Sequence, residues 1–219
     1  MSKKMCVLFV LLLVIVSLAT LERSLVVHGS PDTLSPTADS WVNSNAANDN
    51  YGSDTLLQVQ YQAGKIRRAF IKFDLTSLPA NILITSAKLY LYRDSGDAAS
   101  QVIGAYKVSD DSWTEATITW NNAPAHTTLI GSVGVGPSSA YYSWDVTSVA
   151  SLEFSGDKIL SLCVRLVDET SNQYQVFVSK EGTSGQRPYL EVTYTFLPTN
   201  DALTLDLTVA SYKGTKTLL

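Results

Sequence analysis

Short runs in which apolar and polar residues alternate recur along most of this sequence, and this period of two constrains its fold most. Side chains on a β-strand point alternately to opposite faces, so each run predicts a strand with one buried and one open face. Clusters of Gly, Ser, Asn, Asp and Pro separate the runs, as expected of turns. The predicted strands are 56–62, 69–75, 86–92, 102–108, 140–146, 159–167, 173–180 and 188–196.

These strands predict an all-β fold in which two antiparallel sheets stack on one core, as a jelly-roll or Greek-key β-sandwich. A short helical turn is predicted over 146–152, with Asp145 or Thr147 as its N-cap. About 170 to 190 residues are enough for one sizeable core, so we expect a single domain. The alternation assigns these residues to the core: Ala69, Ile71, Phe73, Leu75, Ala87, Leu89 and Leu91.

The N-terminus has the layout of a secretory signal peptide. Two lysines precede an apolar run over 6–16, which ends in small and polar residues. We predict a signal peptide within 1–29, cleaved after Ala19 or after Gly29, and we favour Ala19. A membrane anchor is the alternative, but about 20 apolar residues are needed to cross a bilayer and Glu22 interrupts the run early.

The charge of the chain argues against a nucleic-acid partner. The whole chain carries −4, and without residues 1–29 it keeps 13 basic and 19 acidic residues, a net charge of −6. A nucleic-acid ligand requires a basic face to replace phosphate counterions. Cys163 is the one cysteine left after cleavage, so no intrachain disulfide forms, and its apolar surroundings predict a core position.

Several sequence motifs occur together in a fixed order. They include Asn50-Tyr51-Gly52, Phe73-Asp74-Leu75, Ser77-Leu78-Pro79, Thr119-Trp120-Asn121-Asn122-Ala123-Pro124, Trp144-Asp145-Val146-Thr147 and Arg187-Pro188-Tyr189-Leu190. Over residues 33–196 the chain resembles the DNRLRE domain, also grouped as carbohydrate-binding module family 96. The resemblance implies a jelly-roll β-sandwich of exported proteins, often found beside catalytic domains, that binds polysaccharide.

We therefore expect a secreted, non-catalytic module, located outside the cell or on its surface, with a polysaccharide or a cell-surface component as its partner. A structural or adhesive surface protein built on the same sandwich is the first alternative. A polysaccharide-degrading enzyme is the second. His126 is the one histidine beyond residue 29, and it is too little for a Ser-His-Asp triad or a multi-histidine zinc site. The carboxylates that remain for a glycosidase pair are Asp110, Asp111, Glu115, Asp168 and Glu169.

The same alternation predicts a ligand face opposite the core. Aromatic rings stack on the C–H faces of sugars, and Arg and Lys donate hydrogen bonds to hydroxyls and carboxylates, so this composition favours an acidic polysaccharide. Tyrosines are also common packing partners on any sheet, which is the simpler interpretation. The predicted carbohydrate-binding residues are Arg68, Phe70, Lys72, Lys88, Tyr90 and Tyr92.

An oxygen-rich segment precedes the first clear strand and predicts a structural calcium site. Calcium takes six to eight hard oxygen ligands, and a turn exposes backbone carbonyls that add to those of side chains. A solvated loop whose Asn and Asp side chains cap their own turns is the alternative. The predicted ligands are Asp39, Asn48, Asp49, Asn50 and Asp54.

The last residues of the chain, 197–219, lie beyond the family resemblance. Leucines and a valine alternate there with polar residues over 203–209, which predicts a strand. This strand is either an addition at a sheet edge or the beginning of a further domain.

Overall fold

The computed structural model describes Gly29 and residues 31–198. The predicted signal peptide, apart from Gly29, and the predicted strand over 203–209 lie outside the described residues. Within them, no helix has the length and hydrophobicity needed to cross a bilayer. The strands are β1 (Asp32–Leu34), β2 (Ala38–Asn43), β3 (Leu56–Gln62), β4 (Lys65–Asp74), β5 (Ile82–Gly96), β6 (Gln101–Val108), β7 (Thr128–Val135), β8 (Tyr141–Asp145), β9 (Ile159–Leu166), β10 (Gln173–Val178) and β11 (Tyr189–Phe196).

The strands form one curled antiparallel sheet, which confirms the predicted all-β fold. Its hydrogen-bonded order is β1-β11-β5-β10-β3-β4-β9-β6-β7, with β8 added beside β5 and β2 beside β4. The long strand β5 joins the two halves, because it pairs with β11 and β8 over most of its length and with β10 near its end at Gly96. The sheet therefore folds over on itself and encloses one core.

The two halves meet around Trp144 of β8. Its ring is fully buried, packs edge-on against Phe177 of β10, and donates its indole N–H to the carbonyl of Ile103 in β6 at 2.8 Å. All seven residues that the alternation assigned to the core are buried by 99% or more, so that prediction is confirmed. The main core thus follows the period of two in β4 and β5 closely.

One helix, α1 (Thr147–Ser155), follows β8 directly. It begins one residue after the predicted start and ends three residues after the predicted end, and its N-cap position is Val146 rather than either predicted residue. Asp145 instead accepts the backbone N–H of Thr147 at 2.9 Å, while the Thr147 hydroxyl accepts the backbone N–H of Ala87 at 2.9 Å. These bonds fix the start of the helix to β5.

A second, smaller core lies on the other face of the sheet. The connection between β6 and β7, residues 109–127, crosses this face and is called the covering segment here. Phe70 of β4 is fully buried beneath it and packs against Trp113 with ring centroids 6.0 Å apart. The buried members of this core are Ala38, Val42, Phe70, Tyr106, Val108, Trp113, Ile118 and Cys163. The core position predicted for Cys163 is therefore confirmed.

Charged side chains of the sheet fasten the far end of the covering segment. The guanidinium of Arg68 forms two hydrogen bonds with the carboxylate of Glu169, lies over the ring of Trp120 at 5.0 Å, and approaches Nε2 of His126 at 3.1 Å. Nδ1 of His126 lies 2.8 Å from the carbonyl of Pro124. The imidazole thus donates from Nδ1 and accepts at Nε2, which requires its neutral form.

The indole of Trp144 supplies both volume and a hydrogen bond across the sandwich. We expect Trp144→Phe to lower the free energy of unfolding by about 2–4 kcal/mol, because it leaves a void and removes the bond to Ile103. Urea denaturation gives this difference. Tyr142→Phe, a change in the same strand at a partly exposed ring, should cost less than about 0.5 kcal/mol. Equal losses for the two variants would contradict the central role of Trp144.

The environment of His126 makes the covering segment sensitive to acid. Burial lowers the pKa of His126 below its ordinary 6.5, and the nearby Arg68 and Arg165 lower it further. A folded-state pKa below the unfolded value gives stability that is present above about pH 6.5 and is lost as the pH falls towards the folded-state pKa. Between pH 7.5 and 5, the urea midpoint of the wild type should fall relative to that of His126→Gln, which stays neutral. Identical slopes in the two proteins would refute this coupling.

Candidate functional site

The covering segment lies over one half of the predicted ligand face, so the expectation that Phe70 is exposed there is wrong. Phe70 is completely buried, and Lys72 donates from Nζ to the carbonyls of Asp111 and Trp113 at 2.7 and 2.6 Å. Arg68 is held by the contacts to Glu169 described above. The alternation places these three side chains opposite the main core as predicted, but a second core lies there instead of solvent. These residues stabilise the fold.

The other half of the predicted face remains accessible. Lys88 is exposed, and Tyr90 and Tyr92 are partly exposed beside it on β5. The structure adds two rings that the sequence analysis did not assign to this face, Tyr141 of β8 and Tyr189 of β11. Together they form the tyrosine surface, defined by Lys88, Tyr90, Tyr92, Tyr141 and Tyr189.

Strand pairing brings the four rings together. Tyr92 lies opposite Tyr141, and Tyr90 lies opposite Tyr189. The rings of Tyr90 and Tyr189 stack with centroids 4.6 Å apart, and Tyr141 meets Tyr189 edge-on at 5.2 Å. Burial raises the pKa of both Tyr141 and Tyr189. The four rings therefore cover part of one another and stay partly exposed.

Hydrogen bonds hold this surface in place. The Tyr141 hydroxyl donates to the carbonyl of Gly185 or that of Arg187, each 3.0 Å away, and the Tyr92 hydroxyl donates to the carbonyl of Ser139 at 3.1 Å. A hydroxyl has one hydrogen, so these bonds use the donors of both side chains. What the tyrosine surface offers a ligand is ring edges and faces beside the ammonium of Lys88.

A polar cleft lies on a different part of the sheet, beside the ends of β3, β4, β5 and β10. It encloses about 320 Å³ and is lined by amide, tyrosine and charged side chains. This chemistry, with donors and acceptors set beside aromatic rings, is that of saccharide sites, where hydroxyls need hydrogen bonds and C–H faces need apolar contact. The lining residues are Gln60, Tyr61, Gln62, Arg67, Asp97, Asn172, Gln173 and Tyr174.

Arg67 is the cation of the cleft. Its guanidinium lies over the ring of Trp41 at 5.2 Å, and Trp41 in turn stacks on Tyr51 with centroids 3.7 Å apart. Nη1 donates to the Gln58 amide oxygen, Nε is buried without a partner, and no residue of the described part bonds to Nη2. Arg67 is thus held by stacking while most of its donors stay unused.

The remaining polar groups of the cleft are fixed by the sheet. Asp97 accepts hydrogen bonds at Oδ2 from the Gln101 amide and from the backbone N–H of Tyr174, both at 2.9 Å. The Gln60 amide donates to that of Gln62 at 2.8 Å. The sequence did not predict this site because its residues come from three strands and two loops that only the fold brings together. The alternating glutamines Gln58, Gln60 and Gln62 of β3 are the feature of the sequence that could have indicated this site.

A group of three carboxylates forms at one end of the sandwich. Asp39 of β2, Glu115 of the covering segment and Glu181 after β10 each place an oxygen within 4.8 Å of the others. Nζ of Lys180 lies 3.0 Å from Glu115 and contacts Glu181. Burial, with the nearby carboxylates of Glu181 and Glu115, raises the pKa of Asp39 to about 8, against the lowering effect of the Lys180 N–H. We call these three residues and Lys180 the acidic cluster.

Of the five residues predicted as calcium ligands, Asp39 alone belongs to that group. The Asn48 amide oxygen accepts a hydrogen bond from Asn121 at 2.8 Å, and Asp49 is exposed. Asn50 donates to the carbonyls of Glu115 and Ile118. Asp54 accepts the Trp41 indole N–H at 3.0 Å. These three side chains therefore fasten the loop to β2 and to the covering segment.

Three of the carboxylates considered for catalysis, Asp110, Asp168 and Glu169, serve the backbone or an ion pair, whereas Oδ1 of Asp111 is buried without a partner. Asp110 accepts the N–H of Ser112 and Asp168 that of Thr170, at 2.9 and 3.0 Å. Glu169 is paired with Arg68. Each of these three carboxylates therefore has a partner within the protein.

Comparison with known proteins places the chain in a family. The sequence profile of carbohydrate-binding module family 96 matches residues 30–194. A gellan lyase from a Bacillus species is 28% identical over 160 residues, which are 71% of this chain and 6% of that enzyme. An adhesin domain of Lys-gingipain from Porphyromonas gingivalis, 9% identical, aligns with 78% of this chain and all of that domain at a TM-score of 0.29. On the strength of the family match, the chain belongs to carbohydrate-binding module family 96.

Proposed function

We propose that this carbohydrate-binding module binds an acidic polysaccharide outside the cell through the polar cleft, without catalysing a reaction on it. The observation that carries the proposal is Arg67, a cation lining the cleft with most of its hydrogen-bond donors unused. Arginine presents a planar fork of donors that matches a carboxylate, which favours a uronate over a neutral sugar.

The geometry around Arg67 supports a built site. A guanidinium that already lies on Trp41 loses less side-chain entropy when it binds a ligand than a free side chain does. The amides of Gln60, Gln62 and Asn172 provide donors and acceptors for sugar hydroxyls, and Tyr61 provides an aromatic ring. The cleft thus combines one charge contact with several neutral ones.

The tyrosine surface is the competing location for the same function. Its rings suit stacking on sugars, and Lys88 beside them is exposed. The rings of Tyr90 and Tyr189 stack on each other, however, so one face of each ring is not accessible to a sugar. A carboxylate lies beside the cation in both places, Glu191 opposite Lys88 and Asp97 in the cleft with Arg67, so the buried ring faces decide between them. We therefore place the primary contact in the cleft.

A module of this kind is expected to work as an accessory to an enzyme or to a cell surface. The gellan lyase that the chain resembles is named for a polysaccharide-cleaving activity, and the matching stretch is 6% of that enzyme. We infer that this chain attaches to polysaccharide of the type that such enzymes cleave, and that its signal peptide directs it out of the cell.

Isothermal titration against gellan, polygalacturonate and a neutral glucan tests the proposal. We expect the two acidic polymers to bind and the neutral one to bind weakly, with affinity falling as salt rises. Arg67→Gln should weaken binding of the acidic polymers about ten- to hundredfold, which corresponds to the loss of a charged hydrogen bond of about 1.5–3 kcal/mol.

Two matched variants sharpen the result. Lys65→Gln removes an exposed charge from the same strand and should leave affinity within about twofold at moderate salt. Tyr90→Ala should leave affinity nearly unchanged if the cleft is the site. Loss of binding in Tyr90→Ala with full binding in Arg67→Gln would move the site to the tyrosine surface. Equal affinities for the acidic polymers and the neutral glucan would refute the proposal that the ligand is acidic.

A further inference from the structure

The acidic cluster joins three parts of the chain that are distant in sequence. Asp39 lies in β2, Glu115 in the covering segment, and Glu181 in the turn that follows β10. The backbone N–H of Asp39 donates to Glu115 at 2.8 Å, and the backbone N–H of Lys180 donates to Oδ2 of Asp39 at 2.8 Å. The carboxylates are therefore placed by the backbone of their neighbours.

The charges in this cluster do not balance. Three carboxylates face one ammonium, that of Lys180, and two negative charges remain when all are ionised. Asp39 is 1% exposed, so water compensates its charge poorly. A buried group of this kind is stable only with further positive charge or with bound protons.

One oxygen of the cluster has no partner. Oδ1 of Asp39 is buried and accepts no hydrogen bond, although Oδ2 of the same carboxylate does. Buried carboxylate oxygens are nearly always hydrogen-bonded or bound to a metal, so an orphan beside two further carboxylates indicates a missing ligand. This observation is independent of the number of acidic residues.

We propose that Asp39, Glu115 and Glu181 bind a single calcium ion. Calcium takes oxygen ligands at about 2.4 Å, so two of its ligands lie at most about 4.8 Å apart, and the three carboxylate oxygens lie within 4.8 Å of one another. Three carboxylates offer up to six oxygens, and water completes the coordination shell. A divalent ion also cancels two of the three carboxylate charges.

Lys180 gives way when the ion binds. Its ammonium contacts the same two glutamates that the ion requires, and like charges exclude each other at such distances. The side chain is long and partly exposed, so Nζ can turn towards solvent while the backbone N–H keeps its bond to Asp39. The ammonium thus holds the cluster in the absence of the ion.

The ion has a structural role in this proposal. Glu115 belongs to the covering segment, and Glu181 begins the turn that leads to Arg187 and Tyr189. Binding would fasten both segments to β2, across sequence separations of 76 residues to Glu115 and 141 residues to the Lys180 turn. A ligand that binds only the folded state stabilises it by mass action.

Calcium titration of chelator-treated protein, followed by heat release, tests the site. We expect one ion per chain in the wild type and at least a tenfold loss of affinity in Asp39→Asn. Asp49→Asn is the matched control, since it makes the same change at an exposed position of the adjacent loop. Its affinity should equal that of the wild type. Loss of binding in Asp49→Asn instead would assign the ion to the loop and overturn this ligand set.

Thermal unfolding gives a second measure that does not depend on one variant folding well. Calcium at 100 times its dissociation constant should raise the melting temperature of the wild type by roughly 5–10 °C. Glu115→Gln should lose most of this shift, and Lys180→Met should bind calcium more tightly because the competing ammonium is gone. No heat and no shift with calcium would refute the proposal, leaving the orphan oxygen to a proton shared with Glu181.

Discussion

The whole fold depends on a sheet that is apolar on both faces. In β9 the side chains of Leu160, Leu162 and Val164 enter the main core, while Cys163 between them enters the second core. A strand of this kind cannot leave either face to water, since each exposed side chain would forfeit its burial free energy. The covering segment meets this demand: the Trp113 indole donates to the hydroxyl of Ser161, also on β9, at 3.2 Å.

This constraint decides which surfaces remain for a ligand. The face with Phe70 is occupied by the protein itself. Two surfaces of the sheet are left accessible to a ligand. They are the tyrosine surface over β5 and the polar cleft beside the ends of β3 and β10. Gly52 shows how tightly the loops fit around the covered side, because a Cβ atom there would lie 2.2 Å from the carbonyl of Glu115. That contact gives the glycine of the Asn50-Tyr51-Gly52 motif a packing reason.

The period of two was enough to predict the strands that line the main core, because alternation reports which side of a strand is apolar. It missed the three-residue strand β1, and it missed β2 and β7 for different reasons. All six residues of β2 are buried, polar ones included, so no alternation appears, and β7 has two glycines that weaken its pattern. Alternation also says nothing of what covers the opposite face. The expectation that Phe70 is exposed failed for that reason, since the cover comes from residues 109–127, which contain no strand.

Sites formed across strands were beyond prediction for a related reason. Asp39 was recognised as a metal-ligand candidate, yet its neighbours Glu115 and Glu181 come from loops that only the completed fold brings together. Likewise, Tyr141 and Tyr189 lie in predicted strands, but their contact with Tyr90 requires the order β11-β5 and the pairing of β8 with β5. A single sequence contains the residues of each site, while strand order determines their partners.

Two adjacent arginines of β4 show how this fold separates the contacts that stabilise it from the proposed ligand site. Successive side chains of a strand point to opposite faces, so Arg67 and Arg68 meet different environments although they share a peptide bond. Arg68 has its guanidinium paired with Glu169 and stacked on Trp120 beneath the covering segment. Arg67 stacks on Trp41 and keeps most of its donors free in the cleft. Arg68 contacts the covering segment, whereas Arg67 lines the cleft. A ligand that binds Arg67 would therefore leave the contacts of the covering segment intact.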